Sequence, residues 1–352
     1  MQQNVSPESF FSTAYRTFEQ AQNAAGGSVD RFYNIGGMDI RLRFAGDALI
    51  PHMTTALEHL GVKPVSTPAL TVCLWDSTST RTTMPSPPWS MGDYLPRGEI
   101  HGYTNARIHT AFHPGVGTLS LFDNGSNVGL FWIHAAEEIP SYVSGSPLHV
   151  IFSWWAHEHG LQLVHAAAVG TPIGGVLIVG KGGTGKSTTA LSCLQAGFLY
   201  AGDDYVLVDD RPVVYSLYNS AKLDSHQSHN FPALFSNRPS FRQSDLEKTL
   251  TFLYRTHPKQ LAASLPIVAI LLPKISHSPS SGLRRASTAQ ALAGLAPSTL
   301  FQLPGEDRSA LHDLARLVAQ VPNYVLHLGT DLETIPGAIH EAITRSKIDV
   351  VG

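Results

Sequence analysis

Apolar residues recur at two periods along this chain, and the switches between them mark out its elements. Phe10, Phe11, Ala14, Tyr15 and Phe18 keep the three-and-four spacing of a helix, and Ser6-Pro7-Glu8 is a start signal with proline at the first helical position. Phe32-Tyr33-Asn34-Ile35, Gly36-Gly37 and Ile40-Arg41-Leu42-Arg43-Phe44 read as a hairpin whose second arm alternates apolar and basic positions. A helical patch over Thr54 to Leu60 and a strand over Leu70 to Trp75 follow. The stretch from Ser77 to Arg97 is rich in Ser, Thr and Pro, which predicts a long loop. Short strands resume at Ile108 to Phe112, Leu119 to Phe122 and Val128 to Ile133, with Asn124-Gly125 as the turn between the last two. Residues 1–145 are therefore expected to form a strand-rich mixed α/β domain with antiparallel pairing, its role unassigned.

From Ser146 the pattern changes. Ser146-Pro147 predicts a helix start, serine as cap and proline at the first position, with Val150, Ile151, Trp154 and Trp155 along it and Gly160 as its stop. Leu163 to Val169 reads as one apolar strand interrupted by His165, and Val176-Leu177-Ile178-Val179 as a second. A helix follows from Thr188 to Leu194, then Phe198 to Gly202, a strand at Tyr205 to Val208 and another at Val213 to Leu217. Ile267 to Leu272 is a buried strand ended by Pro273, helices are expected over 288–295 and 309–321, and Tyr324 to Leu328 is a last strand. Strands alternating with helices predict an α/β (α+β) domain over 146–352.

Composition narrows the function classes. Of 352 residues 43% are hydrophobic and 14% charged, enough for a sizeable core. A net charge of −3, from 24 basic and 27 acidic residues, gives no electrostatic case for a nucleic-acid partner. Cys73 and Cys193 are too few for a disulfide scaffold or a cysteine zinc site. No apolar run reaches membrane-spanning length and residues 1–6 lack signal-peptide character, so the expectation is a cytoplasmic protein without a membrane partner.

The chemistry concentrates between the apolar run at 176–179 and the helix at 188–194. Gly180-Lys181-Gly182-Gly183-Thr184-Gly185-Lys186-Ser187-Thr188 satisfies the phosphate-loop pattern in the strand, loop, helix order that it needs. Glycines let the backbone curl close to a polyphosphate with its N–H groups inward, and the helix N-terminus adds its dipole. Lys186 is expected to reach the β- and γ-phosphates of ATP, and Ser187 to ligate the accompanying Mg2+.

Two further features flank the loop. Asp203-Asp204 stands between apolar segments, where adjacent carboxylates are costly unless they face a cation or do chemistry. One suits magnesium, directly or through water, and the other suits accepting the proton of an attacking hydroxyl. His165 must find hydrogen bonds within an apolar strand. By position alone, a core histidine bonded to a backbone carbonyl is the more ordinary account of it.

His165, the loop, the helix ended by Ala196-Gly197 and the pair Asp203-Asp204 together resemble the HPr serine kinase family, with its phosphoenolpyruvate-carboxykinase-like nucleotide domain and mixed sheet. The resemblance covers residues 160–210 well and the rest of the second half loosely. It implies an ATP-dependent kinase acting on a serine hydroxyl of a peptide or protein. Asp203 would be the general base, Asp204 its assistant or the magnesium carboxylate beside Ser187, and His165 would lie near the transferring phosphate. The front domain departs from that of bacterial HPr kinase, and the glycine- and glutamate-containing signature stretch after the aspartates is absent. The closer likeness is to HPr-kinase-related proteins of peptide natural-product pathways, some of which phosphorylate a precursor-peptide serine. Relatives with this domain are often oligomers.

Three other readings compete. Lys181 also matches the extra lysine of partition and cell-division ATPases, although their loop follows the first strand of the chain, and a small-molecule kinase or a non-catalytic regulatory module would carry the same loop. Arg242, Arg255, Arg284 and Arg285 are candidate phosphate clamps, with surface charge the plainer role.

Overall fold

In a computed structural model, which describes residues 5–235, 248–304 and 308–351, the first apolar stripe forms helix α1 (Pro7–Ala24). Its start is set locally, because the Ser6 hydroxyl accepts the Ser9 N–H at 3.2 Å. Phe10, Phe11, Ala14, Phe18 and Ala21 are buried along one side. That face packs beneath a six-stranded sheet of β1 (Ser28–Ile35), β2 (Met38–Ala45), β3 (Leu70–Asp76), β4 (Ile108–His113), β5 (Thr118–Asp123) and β6 (Val128–Ile133). The strand order is β1-β2-β3-β6-β5-β4. The expected antiparallel pairing needs a correction, since β3 runs parallel to both β2 and β6. Parallel neighbours require a long crossover, and residues 46–69, with helical turns at Ile50–Thr54 and Thr55–Leu60, supply one between β2 and β3.

The polar stretch after β3 is less of a loop than its composition predicts. It holds a turn of helix at Ser77–Thr80, capped by Asp76, and it buries Trp89 against Phe10, ring centroids 4.9 Å apart. One bulky aromatic suffices to anchor a segment that is otherwise polar.

Helix α2 begins at His149 and ends at Glu158, later than predicted. Leu148 takes the cap position with φ +58°, while Ser146 instead closes the preceding turn of helix, Ser141–Gly145, its N–H donating to the Val143 carbonyl. Val150, Ile151, Phe152, Trp154, Trp155 and Ala156 are all buried, and a helix apolar almost all round must be covered on most sides. It packs on β5, and His109 stacks on Trp154 at 5.3 Å. The chain accordingly divides into Met1–His159 with Leu303–Gly305, and Gly160–Gln302 with Glu306–Gly352, which moves the expected boundary from 145/146 to 159/160. Among the described residues no helix is long and apolar enough to cross a membrane.

One pH prediction arises in the first unit. Burial lowers His59 from its ordinary 6.5 to about 4, so the fold favours the neutral ring. The stability this represents is complete above pH 6.5 and is lost as the pH falls from 6.5 towards 4, because the unfolded chain takes up the proton first. The loss is on the order of 1–3 kcal/mol after allowance for the ring's partial exposure. Urea unfolding at pH 7 and pH 5 should show it in the wild type and much less of it in His59→Gln; equal losses would refute the assignment.

The second unit is built on a nine-stranded mixed sheet. Its strands are β7 (Gln162–Val164), β8 (Ala166–Thr171), β9 (Gly174–Val179), β10 (Leu199–Gly202), β11 (Val206–Val208), β12 (Val213–Tyr215), β15 (Ser264–Ile275), β16 (Gly282–Arg285) and β17 (Asn323–Leu328). A separate hairpin pairs β13 (Ser220–Asp224) with β14 (Lys248–Phe252). Both faces of the central strands are apolar because both are covered. Ala167, Val169, Val176 and Ile178 point to one core with helices α3 (Lys186–Gln195) and α6 (Ile335–Val351). Their alternates Ala166, Ala168, Leu177 and Val179 point to another with α4 (Thr288–Leu300) and α5 (Arg308–Gln320).

Two expectations about strands change here. The single strand over 163–169 is two, because β7 pairs with β11 while β8 pairs with β9 and β10, and His165 sits at the change of partner. Pro273 does not end β15, which continues to Ile275. Pairing with β9 stops at Leu271, and beyond it only β17 lies alongside, an edge where a missing N–H is tolerated.

Candidate active site

Strand direction gathers the candidate residues at one edge of the second sheet. β9, β15 and β17 run parallel, so Gly180, Ile275 and Leu328 emerge together at their carboxyl ends. β8 runs opposite to β9 and so begins there, which puts His165 at the same edge. β10 runs opposite to β8, so its end delivers Asp203 and Asp204 to that edge too. Carboxyl ends of strands are where such sheets leave room for ligands. A cleft of about 350 Å³ opens there, and His165, Lys186, Ser187, Asp203 and Asp204 all line it.

The loop has the curvature its glycines predict. Gly183 and Gly185 have φ of +78° and +100°, a region that side chains disfavour. A Cβ at Gly185 would also lie 2.5 Å from Leu328 Cδ1, so a side chain there would have to displace the end of that leucine as well. Gly182, Gly183, Gly185 and Thr188 line the cleft, whereas Gly180, Lys181 and Thr184 shape the turn behind it. The Thr184 hydroxyl closes that turn by donating to the Lys181 carbonyl at 2.9 Å.

Lys186 opens α3 and is buried. Its Nζ donates to the Gly180 carbonyl at 2.7 Å and the Lys181 carbonyl at 3.2 Å, folded back over the loop. Burial lowers its proton affinity, Lys248 adds to this, and Asp203 and Asp204 pull the other way. A cation held against its own desolvation is primed for an anion, which would satisfy it better than two carbonyls do.

The two aspartates differ sharply in environment. Asp204 takes an unusual backbone angle, φ +80°, and its side chain is committed on both oxygens. His165 Nε2 donates to Oδ1 at 3.2 Å and Lys222 Nζ to Oδ2 at 2.6 Å. Burial alone would raise Asp204, but Lys222 and His165 outweigh it and hold the carboxyl well below its usual range. Asp203 is only 2% exposed. Its Oδ1 accepts the Asp204 N–H at 3.0 Å, while Oδ2 is buried without a well-aligned hydrogen bond among the described residues, the Ser187 hydroxyl being the side chain close enough to act on the carboxylate as a donor. Burial raises Asp203 above its ordinary value and Asp204 adds to this, against the lowering influence of Ser187, Lys186 and His165. Two adjacent carboxylates thus have their proton affinities driven apart, the pattern that separates a base from a fixed charge.

His165 is no core histidine bonded to a carbonyl. It bonds Asp204, its ring lies 5.4 Å from that of Tyr205, and its Nδ1 is buried without a partner among the described residues. Among the described residues, the cations that reach the cleft are not the candidate arginines. Arg255 lies over Tyr254 and Arg285 over Tyr324, Arg284 is exposed, and Arg242 falls outside the described residues. Lys222 and Lys248, from the β13–β14 hairpin, line the cleft instead. Neither belongs to a recognisable motif, and the one available signal was Lys222 within the apolar and small run Ser220-Ala221-Lys222-Leu223.

The donor set suits magnesium: one hydroxyl, Ser187, and two carboxylates, all oxygens, as a hard cation prefers. The open Oδ2 of Asp203 is a buried acceptor of the kind that a cation or an acceptor hydroxyl would satisfy.

No family model matches the chain, and no curated protein matches it. Among solved structures, the HPr(Ser) kinase/phosphatase from Coxiella burnetii is similar at 11% identity, with a TM-score of 0.29, over 54% of this chain and 99% of that one. A TM-score that low supports no conclusion about fold or function, so the chemistry rests on the cleft itself.

Proposed function

We propose that this chain is an ATP-dependent kinase that transfers the γ-phosphate to a hydroxyl, by its resemblance the serine hydroxyl of a peptide or protein. The observation that carries the reading is the meeting of Lys186, Ser187, Asp203, Asp204 and His165 around one cleft, from three separate segments. Phosphoryl transfer asks a protein for in-line positioning and charge neutralisation rather than covalent chemistry. The amides of 182–187 cradle the phosphates and Lys186 leaves its loop carbonyls for them. Ser187 would hold magnesium directly and Asp204 through water, since both oxygens of Asp204 already accept from His165 and Lys222, and the ion would supply charge neutralisation at the phosphates. Asp203, whose open oxygen and raised proton affinity fit a base, takes the proton of the acceptor hydroxyl. His165 and Lys222 keep Asp204 charged and in place.

The test is transfer of labelled γ-phosphate from ATP with magnesium, using serine-containing peptide and protein fractions and, separately, small hydroxyl compounds as acceptors. A labelled peptide or protein formed by the wild type supports the proposal. A labelled small molecule alone would make it a small-molecule kinase. ATP hydrolysis with no labelled acceptor, surviving Asp203→Asn but lost in Lys181→Ala, would favour a partition-type ATPase.

A further inference from the structure

Charge is unevenly distributed in the cleft. His165, Asp203, Asp204, Lys222 and Lys248 lie towards β8, β10 and the β13–β14 hairpin, while the side made by the ends of β15 and β17 is aliphatic, with Ile275, Leu328, Leu332 and Ile335. Ile275 is 67% exposed, although it adjoins a core strand in which its pairing partner Leu328 is buried. This wall is built rather than loose. The Ser276 N–H donates to the Leu328 carbonyl at 2.9 Å, the Gly329 N–H to Ser281 Oγ at 3.0 Å, the Thr330 N–H to the Ser278 carbonyl at 2.9 Å and the Asp331 N–H to the Pro279 carbonyl at 3.1 Å. A side chain at Gly329 would collide with the backbone of Pro279 and Ser280, so the two segments are locked together.

We infer that this aliphatic wall is the subsite for the nucleobase. The inference rests on the proposed reading of the loop as a nucleotide site. The transferring end of a triphosphate must face Asp203 and His165, so the nucleoside end must leave the loop in another direction. Among the described residues lining the cleft, exposed Ile275 and half-buried Leu332, backed by buried Leu328, offer a planar base an apolar face. The nucleotide is then gripped at both ends, its phosphates by charge and amides and its base by burial of apolar surface. Since the wall presents side-chain methyl groups rather than polar pairs, it recognises a base by its face more than by its edge.

The experiment compares magnesium-bound ATP with magnesium-bound inorganic tripolyphosphate by calorimetric titration of the full chain, wild type and Ile275→Ser. Ile275 is exposed, so its replacement does not threaten folding. The wild type is expected to bind ATP more tightly than tripolyphosphate. Ile275→Ser is expected to weaken ATP about tenfold and leave tripolyphosphate unchanged, the loss following from one aliphatic side chain withdrawn from the contact. Equal wild-type affinities for the two ligands, or unchanged ATP affinity in Ile275→Ser, overturns the base subsite and leaves the phosphate site standing. Failure of the wild type to bind either ligand overturns the phosphate-loop reading instead, and the base subsite with it.

Discussion

Asp203→Asn is expected to bind ATP with magnesium about as well as the wild type and to transfer phosphate about 10²–10⁴-fold more slowly, the usual contribution of a positioned general base. Asparagine keeps the shape of the side chain and can still accept the Asp204 N–H, which Asp203 Oδ1 accepts at 3.0 Å, so the turn into the second aspartate survives. What is lost is an oxygen able to take a proton at the open position. Stability should not fall, because burial disfavours the charged form of Asp203 in the first place. The rate in the wild type should also decline as the pH drops through the raised value of Asp203, since the protonated carboxyl is no base. Single-turnover transfer and ATP titration on the same preparation separate the two effects. Transfer at the wild-type rate would remove Asp203 from the role of base.

Lys186→Ala should lose transfer by about 10²–10³-fold or more, as does removal of other preorganised donors at a centre of developing charge. It should also lose the rise in melting temperature that ATP with magnesium gives the wild type, since a ligand stabilises only the form that binds it. Without nucleotide the variant is expected to melt no lower than the wild type. Lys186 is buried with its proton affinity lowered, and two backbone carbonyls are poor compensation for its desolvation. Unchanged turnover in Lys186→Ala would refute the loop as the phosphate site. A large loss of stability without ligand would show that the lysine serves the fold instead.

How far the cleft was legible depends on how local each determinant is. The phosphate loop could be read because nine consecutive residues carry the backbone angles and the donors, and Gly183 and Gly185 do take the left-handed conformations that the motif demands. The aspartate pair was legible as an anomaly, two carboxylates between apolar segments. Which of them is free to act was not, because the answer lies with Lys222, a residue 18 positions beyond Asp204 on a hairpin with no motif. His165 shows the opposite difficulty. An apolar run looks continuous whether or not its pairing partner changes, and only the switch from β11 to β9 and β10 reveals why a polar ring stands at that point.

The fold divides in the same way. Helix α1 and the first hairpin follow from their own period, cap and glycines. The parallel placement of β3, the inclusion of α2 in the first unit and the passage of β15 through Pro273 do not, since each depends on which strand lies alongside.

By itself, then, the sequence determined the chain's periodicities, its phosphate loop and the presence of a costly acidic pair, because these depend on contacts within a few residues. Only the tertiary structure decided that Asp204 is held ionised between Lys222 and His165 while Asp203 keeps an oxygen without a hydrogen bond, and that Ile275 stands exposed on an aliphatic wall across from them. Those outcomes follow from strand order and direction, which bring residues more than 100 positions apart to one sheet edge and which no local pattern encodes.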